Sequence, residues 1–471
     1  MWDDPRHNTL GTNNMKNLLI RSGKLTVSGA VAFAVLQLIR PGIPVNTTGK
    51  ELQAPLEVRH ILDKDCYSCH SDQRRLSWFD QIVPAYWLVR HDILTARKHL
   101  NFSTLGSRPA AMQKATLYEA VNMIKLGAMP LPSFRKLHPE ANVTPEELTI
   151  LKAYLAPWTP VPSPIVNAAV SLQRPAPVPL TAVRPELNGF PFDPTFENWK
   201  LISSTDRGDN NTFRFILGNE IAMKASQTGT MSPWPDGTRL AKIAWQQSPG
   251  SDGLRYPGAF IQVELMLKDA QRFRHTEGWG WGRWRSFDLK PYGNNPQFVN
   301  ECTGCHLPVR GNDYVYTLPI TLAKVTGQEV VNNAAAMLPA NLPYQPLNWS
   351  PITMYVDSKN HDTSILYGNA TAWEAVQAGK ANSASVPNRL AYPPGAVLAL
   401  VSWTQREDPH WFGARIPDQV KSVEFVQLFG TQPPTGYRRF TGKRLGEEPV
   451  NGQDAAQRQR FMLGLSPAQL P

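Results

Sequence analysis

Leu217-Gly218-Asn219-Glu220-Ile221-Ala222-Met223-Lys224-Ala225-Ser226-Gln227-Thr228-Gly229 and Tyr367-Gly368-Asn369-Ala370-Thr371-Ala372-Trp373-Glu374-Ala375-Val376-Gln377-Ala378-Gly379 are two versions of one stretch, with Gly, Asn, two Ala, Gln and Gly recurring in register. The first version reads as a helix from Asn219 to Gly229 set among strands: Phe213–Ile216, Arg239–Trp245 and Phe260–Leu267 alternate or run apolar between Gly and Pro turns. The likeness continues outward, since Asp236-Gly237 to Trp245 parallels Pro394-Gly395 to Trp403. Leu400 then stands where Lys242 does, and Ser364 where Arg214 does. Residues 335–440 are therefore expected to copy the β-rich segment before them.

Only the earlier copy contains cysteine. The chain has four, in two pairs, Cys66-Tyr67-Ser68-Cys69-His70 and Cys302-Thr303-Gly304-Cys305-His306. Both are Cys-x-x-Cys-His, the attachment signature of c-type haem. Two thiols one helical turn apart can each add to a haem vinyl group while the adjacent imidazole points at the iron. A zinc site or dithiol redox pair would use the Cys-x-x-Cys spacing without needing the His, so His70 and His306 are read as iron ligands beside Cys66, Cys69, Cys302 and Cys305.

At 471 residues, 42% hydrophobic and 18% charged, the chain has the composition of a globular protein of about three domains. Its formal net charge of +10 is scattered, without the Lys/Arg run of a nucleic-acid footprint, so nucleic acid is not an expected partner. The positive balance suits an acidic redox partner or a membrane surface. Lys16, Arg21 and Lys24 precede an apolar run from Leu25 to Ile39 closed by Arg40-Pro41-Gly42, the pattern of a secretory signal or short anchor. The expected location is periplasmic or extracytoplasmic, with membrane attachment through residues 25–39.

From Glu51 to Pro157 the pattern is helical. Thr144-Pro145-Glu146-Glu147 is a capping box opening a helix to Leu155, and Leu117, Ala120, Val121, Ile124 and Leu126 form an apolar face running into Gly127-Ala128-Met129-Pro130. Met129 is the candidate sixth ligand of the first haem, with His138 as its rival. The run Ile61 to Asp72, then Trp78, Pro84, Trp87, Leu88 and His99-Leu100-Asn101-Phe102-Ser103, resembles the bacterial haem-binding domain family over about 100 residues. That resemblance implies a single-haem, exported, membrane-tethered cytochrome.

Pro160, Pro162, Pro164, Pro175, Pro177, Pro179, Pro185 and Pro191 mark a spacer or wrapping strap. Beyond it, residues 192–322 resemble the cytochrome P-460 family, through Glu197-Asn198-Trp199, Phe213-Arg214, the helix after Asn219, Asp236-Gly237-Thr238 leading to Lys242, Val263-Glu264 before Lys268-Asp269, and Cys302 to His306. The resemblance implies a β-rich haem domain with His below the iron and an open position above. In the hydroxylamine-oxidising members it implies a lysine crosslinked to the haem and a proton-handling carboxylate. By position these are Lys242 and Glu264, with Arg214 near the haem. The family also includes cytochrome c′-beta proteins, which lack the crosslink and bind NO or CO. Trp279, Trp281 and Trp284 are read as packing aromatics, and His361, His410 and Arg406-Glu407-Asp408 as surface polar residues.

The expected architecture is an α+β multidomain chain. It comprises a lead and signal or anchor over 1–50, a helical c-type cytochrome domain over 51–157, a Pro-rich linker over 158–191, an antiparallel β-rich P-460-like haem domain over 192–328, and a second, haemless P-460-like β-rich domain with a tail over 329–471. The expected function is that of an exported dihaem c-type cytochrome oxidising hydroxylamine or a related nitrogen species and passing electrons to the first haem and then to a soluble cytochrome. Gas binding of the c′-beta kind, or electron transfer within a larger membrane cytochrome complex, are the alternatives. A homodimer is a further expectation from the P-460 resemblance.

Overall fold

The computed structural model describes residues 27–46, 48–73, 75–155, 178–320, 334–381, 390–430 and 435–471. Lys16, Arg21, Lys24, the first two residues of the apolar run, and the spacer prolines from Pro160 to Pro177 lie outside them. The chain forms two compact units, one drawn from residues up to Leu117 with Pro130–Tyr154, the other from Tyr118–Met129 and Leu155 onward.

The first unit is helical, as expected. Residues 27–36 form a helix with Val27, Val31 and Phe33 exposed, and among the described residues no helix is long and apolar enough to cross a membrane. Then follow α1 (Leu56–Asp65), α2 (Tyr67–His70), α3 (Ala85–His99), α4 (Phe102–Leu105), α5 (Ala110–Lys125), whose later residues belong to the second unit, α6 (Pro132–Leu137) and α7 (Pro145–Leu155). The capping box forms reciprocally: Thr144 N–H donates to Glu147 Oε2 (2.9 Å), and Glu147 N–H to Thr144 Oγ1 (3.2 Å). Tyr67 stacks on Phe102 at 5.1 Å, and the Cys69 side chain joins Leu76 and Val89 against a small core of Ile43, Val83, Tyr86 and Ile93.

Among the described residues the second unit is built on twelve strands in two matching sets. The first set is β1 (Lys200–Arg207), β2 (Thr212–Gly218), α8 (Glu220–Thr228), β3 (Arg239–Pro249), β4 (Arg255–Lys268), β5 (Trp279–Arg285) and β6 (Lys290–Pro291), followed by α9 (Val299–His306). The second set is β7 (Ser350–Asp357), β8 (Asp362–Gly368), α10 (Ala370–Ala381), β9 (Val397–Asp408), β10 (Trp411–Leu428), β11 (Thr435–Thr441) and β12 (Gly446–Glu448), followed by α11 (Gly452–Gly464). Corresponding details repeat. Lys200 pairs Gly218 with a bulge between Leu201 and Ser203, and Ser350 pairs Gly368 with a bulge between Pro351 and Thr353. Asn219 accepts from Ala222 and Arg239 N–H and donates to Gly237 carbonyl; Asn369 does the same with Ala372, Val397 and Gly395. Each Asn thus caps a helix and ties it to the next strand, which explains why these residues recur in the sequence repeat.

The sheet runs across the boundary drawn from sequence at 328/329. β1-β2-β3-β4-β7-β8-β9-β10 close into an eight-stranded antiparallel barrel, with β5–β6 and β11–β12 hanging from β4 and β10. The two seams are short and mutually related, Arg255 pairing Val356 at one and Arg415 pairing Asp206 at the other. Strand alternation sends Phe213, Phe215, Ile243, Trp245, Val263, Ile365, Val401, Trp403 and Phe425 into the shared interior. Residues between them face outward, which is where the site lies. The described end of the Pro-rich segment is packed rather than free: Glu186 is buried and accepts from the N–H groups of Arg283, Tyr292 and Gly293.

On the outer face of the second set, Leu366, Leu398 and Leu400 are covered by Met462 and Leu465 of the C-terminal segment. Arg458 of α11 reaches Glu424 through Nε (2.8 Å) and Nη2 (2.6 Å), and Glu424 is buried. Arg458→Ala strands that carboxylate with Tyr437 as its remaining donor. The expected loss is about 2 kcal/mol of unfolding free energy, read as a lower urea midpoint at unchanged slope.

Candidate functional site

The cysteine pairs sit where short helices meet buried side chains. Cys66 is the N-cap of α2 and Cys69 lies within it, while Cys302 and Cys305 lie one turn apart on a single face of α9. None of the four is in a disulfide, and burial pushes the Cys66 and Cys302 thiols up to about 12. Both adjacent histidines are held in the same way. His70 Nδ1 lies 3.0 Å from the Leu100 carbonyl, and His306 Nδ1 lies 2.6 Å from the Tyr314 carbonyl. A carbonyl can only accept, so each Nδ1 carries the proton and each Nε2 is left as the basic nitrogen. Burial lowers both histidines, His306 to about 4, so both rings are neutral at pH 7, the state a metal requires. The Leu100 carbonyl is placed by the motif around it: Asn101 caps α4 through Ser103 N–H, and Ser103 Oγ accepts from Asp72 N–H at 2.9 Å.

The expected sixth-ligand candidates are found in different settings. Met129 follows α5 in the Gly127–Pro130 turn, its N–H on the Met123 carbonyl. His138 has both ring nitrogens against carboxylates, Nε2 at 3.1 Å from Asp80 and Nδ1 at 3.3 Å from Glu140, which holds the ring in place rather than presenting a nitrogen to iron.

Lys242, Glu264 and Arg283 stand directly opposite one another on β3, β4 and β5, on the outward face. Lys242 Nζ is 2.5 Å from Glu264 Oε2, Arg283 Nε is 3.1 Å from Oε1, and Gln262 donates to Oε1 as well. Arg214 shares this face two residues from Ile216, the partner of Lys242. Three cations thus surround one carboxylate. Burial would raise Glu264, but Lys242, Arg283 and Arg214 hold it down to about 2. Burial brings Lys242 down to about 8 and Arg214 down to about 9, both against the pull of Glu264. The charges of Lys242, Glu264 and Arg283 are felt at Cys302, Cys305 and His306, so strand residues and attachment helix face one space. The structure therefore brings together Lys242, Glu264, Arg214, Cys302, Cys305 and His306.

The lining of that space has donors without acceptors. Arg214 Nε and the indole nitrogens of Trp279 and Trp281 are buried with no hydrogen-bond partner. Buried donors are rarely left so, and an acceptor-bearing group at this face would satisfy them. Trp279, Trp281 and Trp284 are otherwise fully packed, Trp281 standing 4.6 Å from the His306 ring. The residues fit an iron porphyrin held at His306. Among the described residues no group of three or more His, Cys, Asp or Glu side chains could hold a separate metal ion.

Arg283 was hidden in the sequence by the tryptophans around it; counting the β4–β5 register outward from Glu264 would have found it. The copied face shows what the site requires. Leu400 pairs Glu424, and Glu424 pairs Arg439, so the carboxylate and one arginine are kept while Leu400 and Ser364 replace Lys242 and Arg214. Arg439 turns to Glu448, and Arg458 from α11 takes the carboxylate instead.

Comparison with known proteins places two domains along the chain. Residues 30–157 match the model of the family described as haem-binding domain, and residues 194–317 match that of cytochrome P460. No curated protein matches the chain. These two stretches thus carry a haem-binding domain and a cytochrome P460 domain, which supports a haem cofactor.

Proposed function

We propose that this is an exported dihaem c-type cytochrome in which a haem attached at Cys302 and Cys305 and ligated by His306 oxidises hydroxylamine or a related small nitrogen species. Electrons pass to a second haem attached at Cys66 and Cys69 and ligated by His70, and then to an acidic partner such as a soluble cytochrome. The observation that carries the reading is Glu264, a carboxylate ringed by Lys242, Arg283 and Arg214 on the face that also presents Cys302, Cys305 and His306.

Haem bound there supplies the redox-active iron that takes up the substrate's electrons. The chain's own residues do the rest. The Tyr314 carbonyl fixes the His306 imidazole through Nδ1–H, which makes Nε2 a stronger donor. Oxidising an N–H or O–H bond releases protons with the electrons, and a Glu264 oxygen is the base within the site. Lys242 governs how good a base it is. As an ammonium 2.5 Å away, it holds Glu264 too acidic to take protons efficiently at neutral pH. Were Lys242 Nζ bonded to the haem, as the resemblance to the hydroxylamine-oxidising members implies, that ammonium would be gone and Glu264 would rise. Lys242→Met is accordingly expected to leave the haem on Cys302 and Cys305, abolish any lysine-linked haem peptide, and free Glu264 of its nearest cation, so that turnover no longer rises through pH 8.

The second copy, with no cysteine and with Leu400 in place of Lys242, is proposed to hold no haem, its outer face being closed by α11. Export follows from the chemistry of thioether attachment, which takes place outside the cytoplasm, and residues 25–39 are the proposed signal or anchor. The test is substrate-dependent reduction of an artificial electron acceptor by the purified holoprotein. Acceptor reduced in proportion to hydroxylamine consumed is the expected result; a haem-replete sample that reduces none contradicts the proposal.

A further inference from the structure

His306 is held by a segment that is itself under strain. Asp313 (φ 46°) and Tyr314 (φ 65°) are consecutive non-glycine residues in the left-handed region, a conformation that persists only where surroundings impose it. That bend aims the Tyr314 carbonyl at His306 Nδ1. Asp313 is secured from within the first set of strands, by Lys268 at 2.8 Å and by the Trp234 N–H at 2.8 Å. Two residues after Tyr314, Tyr316 sets its ring 5.0 Å from the His306 ring, which Trp281 also meets at 4.6 Å, and donates its hydroxyl to the Cys305 carbonyl at 2.6 Å. Tyr316 is thus the far anchor of the segment that holds the ligand.

What secures Tyr316 comes from the second set. The β9–β10 turn carries His410 and Trp411, and His410 N–H closes the turn on Asp408 Oδ1 at 2.8 Å. His410 Nδ1 lies 2.7 Å from the Tyr316 carbonyl and so donates to it. Trp411 meets the Tyr316 ring edge-on at 5.5 Å. Trp411 is in turn fixed by Asp209, which accepts its indole N–H at 3.2 Å, and by the Arg207 guanidinium 4.2 Å above the ring, Arg207 and Asp209 forming a buried ion pair. The arrangement is reciprocal in the barrel: Leu254 and Tyr256, beside the β3–β4 turn, pack into the core of the second set with Tyr355 and Phe461.

We propose that His410 and Trp411 are positioning residues for the haem ligand His306, and that this is a function the second copy retains after losing its own haem site. The proposal rests on the reading that His306 ligates iron. Holding Tyr316 keeps the Tyr314 carbonyl on Nδ1–H, which strengthens the imidazole as a donor and favours the oxidised iron.

The test compares the full-length holoprotein with His410→Leu, His410→Asn, Trp411→Leu and Trp411→Phe. Asn can place a donor near the position of Nδ1, and Phe keeps the ring against Tyr316. The readouts are the iron–histidine stretching band of the reduced five-coordinate haem and the midpoint potential of each haem, with the haem at His70 as internal reference. The expected result is a lower stretching frequency and a raised potential confined to the His306 haem in both Leu variants, returning toward wild type in the Asn and Phe variants. A wild-type band and potential in either Leu variant, or an equal shift at both haems, overturns the proposal. If one Leu variant does not accumulate, the other decides. A wild-type protein with no haem on the Cys302–His306 peptide overturns this proposal together with the reading beneath it, whereas haem present there without turnover removes only the catalytic reading.

Discussion

Glu264→Gln is expected to lower hydroxylamine oxidation by about 10²–10⁴-fold, the usual contribution of a positioned general base. Gln keeps the size and the hydrogen-bonding oxygen of Glu but cannot take a proton. It also leaves Lys242, Arg283 and Arg214 without a counter-charge on the same face. Haem content on Cys302 and Cys305 should be unchanged, separating lost chemistry from lost assembly. The pH profile carries a further expectation. Glu264 is held at about 2, so it is ionised throughout the neutral range and contributes no acid limb between pH 4 and 6. Lys242, brought down to about 8, is charged below that pH and neutral above it. In protein with an uncrosslinked lysine, the rate should therefore rise through pH 8 as Glu264 is released to become a better base. Protein whose Lys242 nitrogen is bonded to haem should lack that rise.

Paired cysteine replacement should divide the two haems by role. Cys302→Ser with Cys305→Ser removes both thiols of α9 and is expected to take the haem count from two to one and abolish turnover, leaving the spectrum of the haem at His70. Cys66→Ser with Cys69→Ser is expected to leave the haem at His306, which hydroxylamine still reduces in a single turnover, while steady reduction of an external acceptor falls away. Pyridine haemochrome counting and rapid-mixing absorbance distinguish the cases. Turnover unchanged by the Cys302/Cys305 pair would sink the assignment of the reacting haem.

Much of this fold was legible because it is local. The Thr144–Glu147 box, the helix between Asn219 and Gly229, and the alternation of β2, β3 and β4 are all set by residues a few positions apart. Barrel closure was not legible, since its seams rest on pairs such as Arg255–Val356 and Asp206–Arg415 that are distant in sequence and follow no pattern within either strand. α11 was missed for a different reason. Its residues are mostly Ala, Gln and Arg, and its burial comes from Phe461, Met462 and Leu463 at one end, too few to mark an apolar stripe.

The site divides in the same way. The Cys-x-x-Cys-His runs announce themselves, and Lys242 and Glu264 were reached by resemblance, which the register then explains by setting them opposite each other. Tyr314 and Tyr316 act partly through backbone carbonyls, which no side-chain pattern reveals, and His410 reaches them from 94 residues away.

The most direct test of the account is the optical spectrum of the reduced holoprotein, taken with the intact mass of a tryptic fragment spanning Lys242. The account predicts a red-shifted band of the P-460 type beside an ordinary c-type spectrum, and a Lys242 peptide linked to haem. An ordinary high-spin c-type spectrum with a free Lys242 peptide would contradict it, moving the site from hydroxylamine oxidation to the binding of NO or CO.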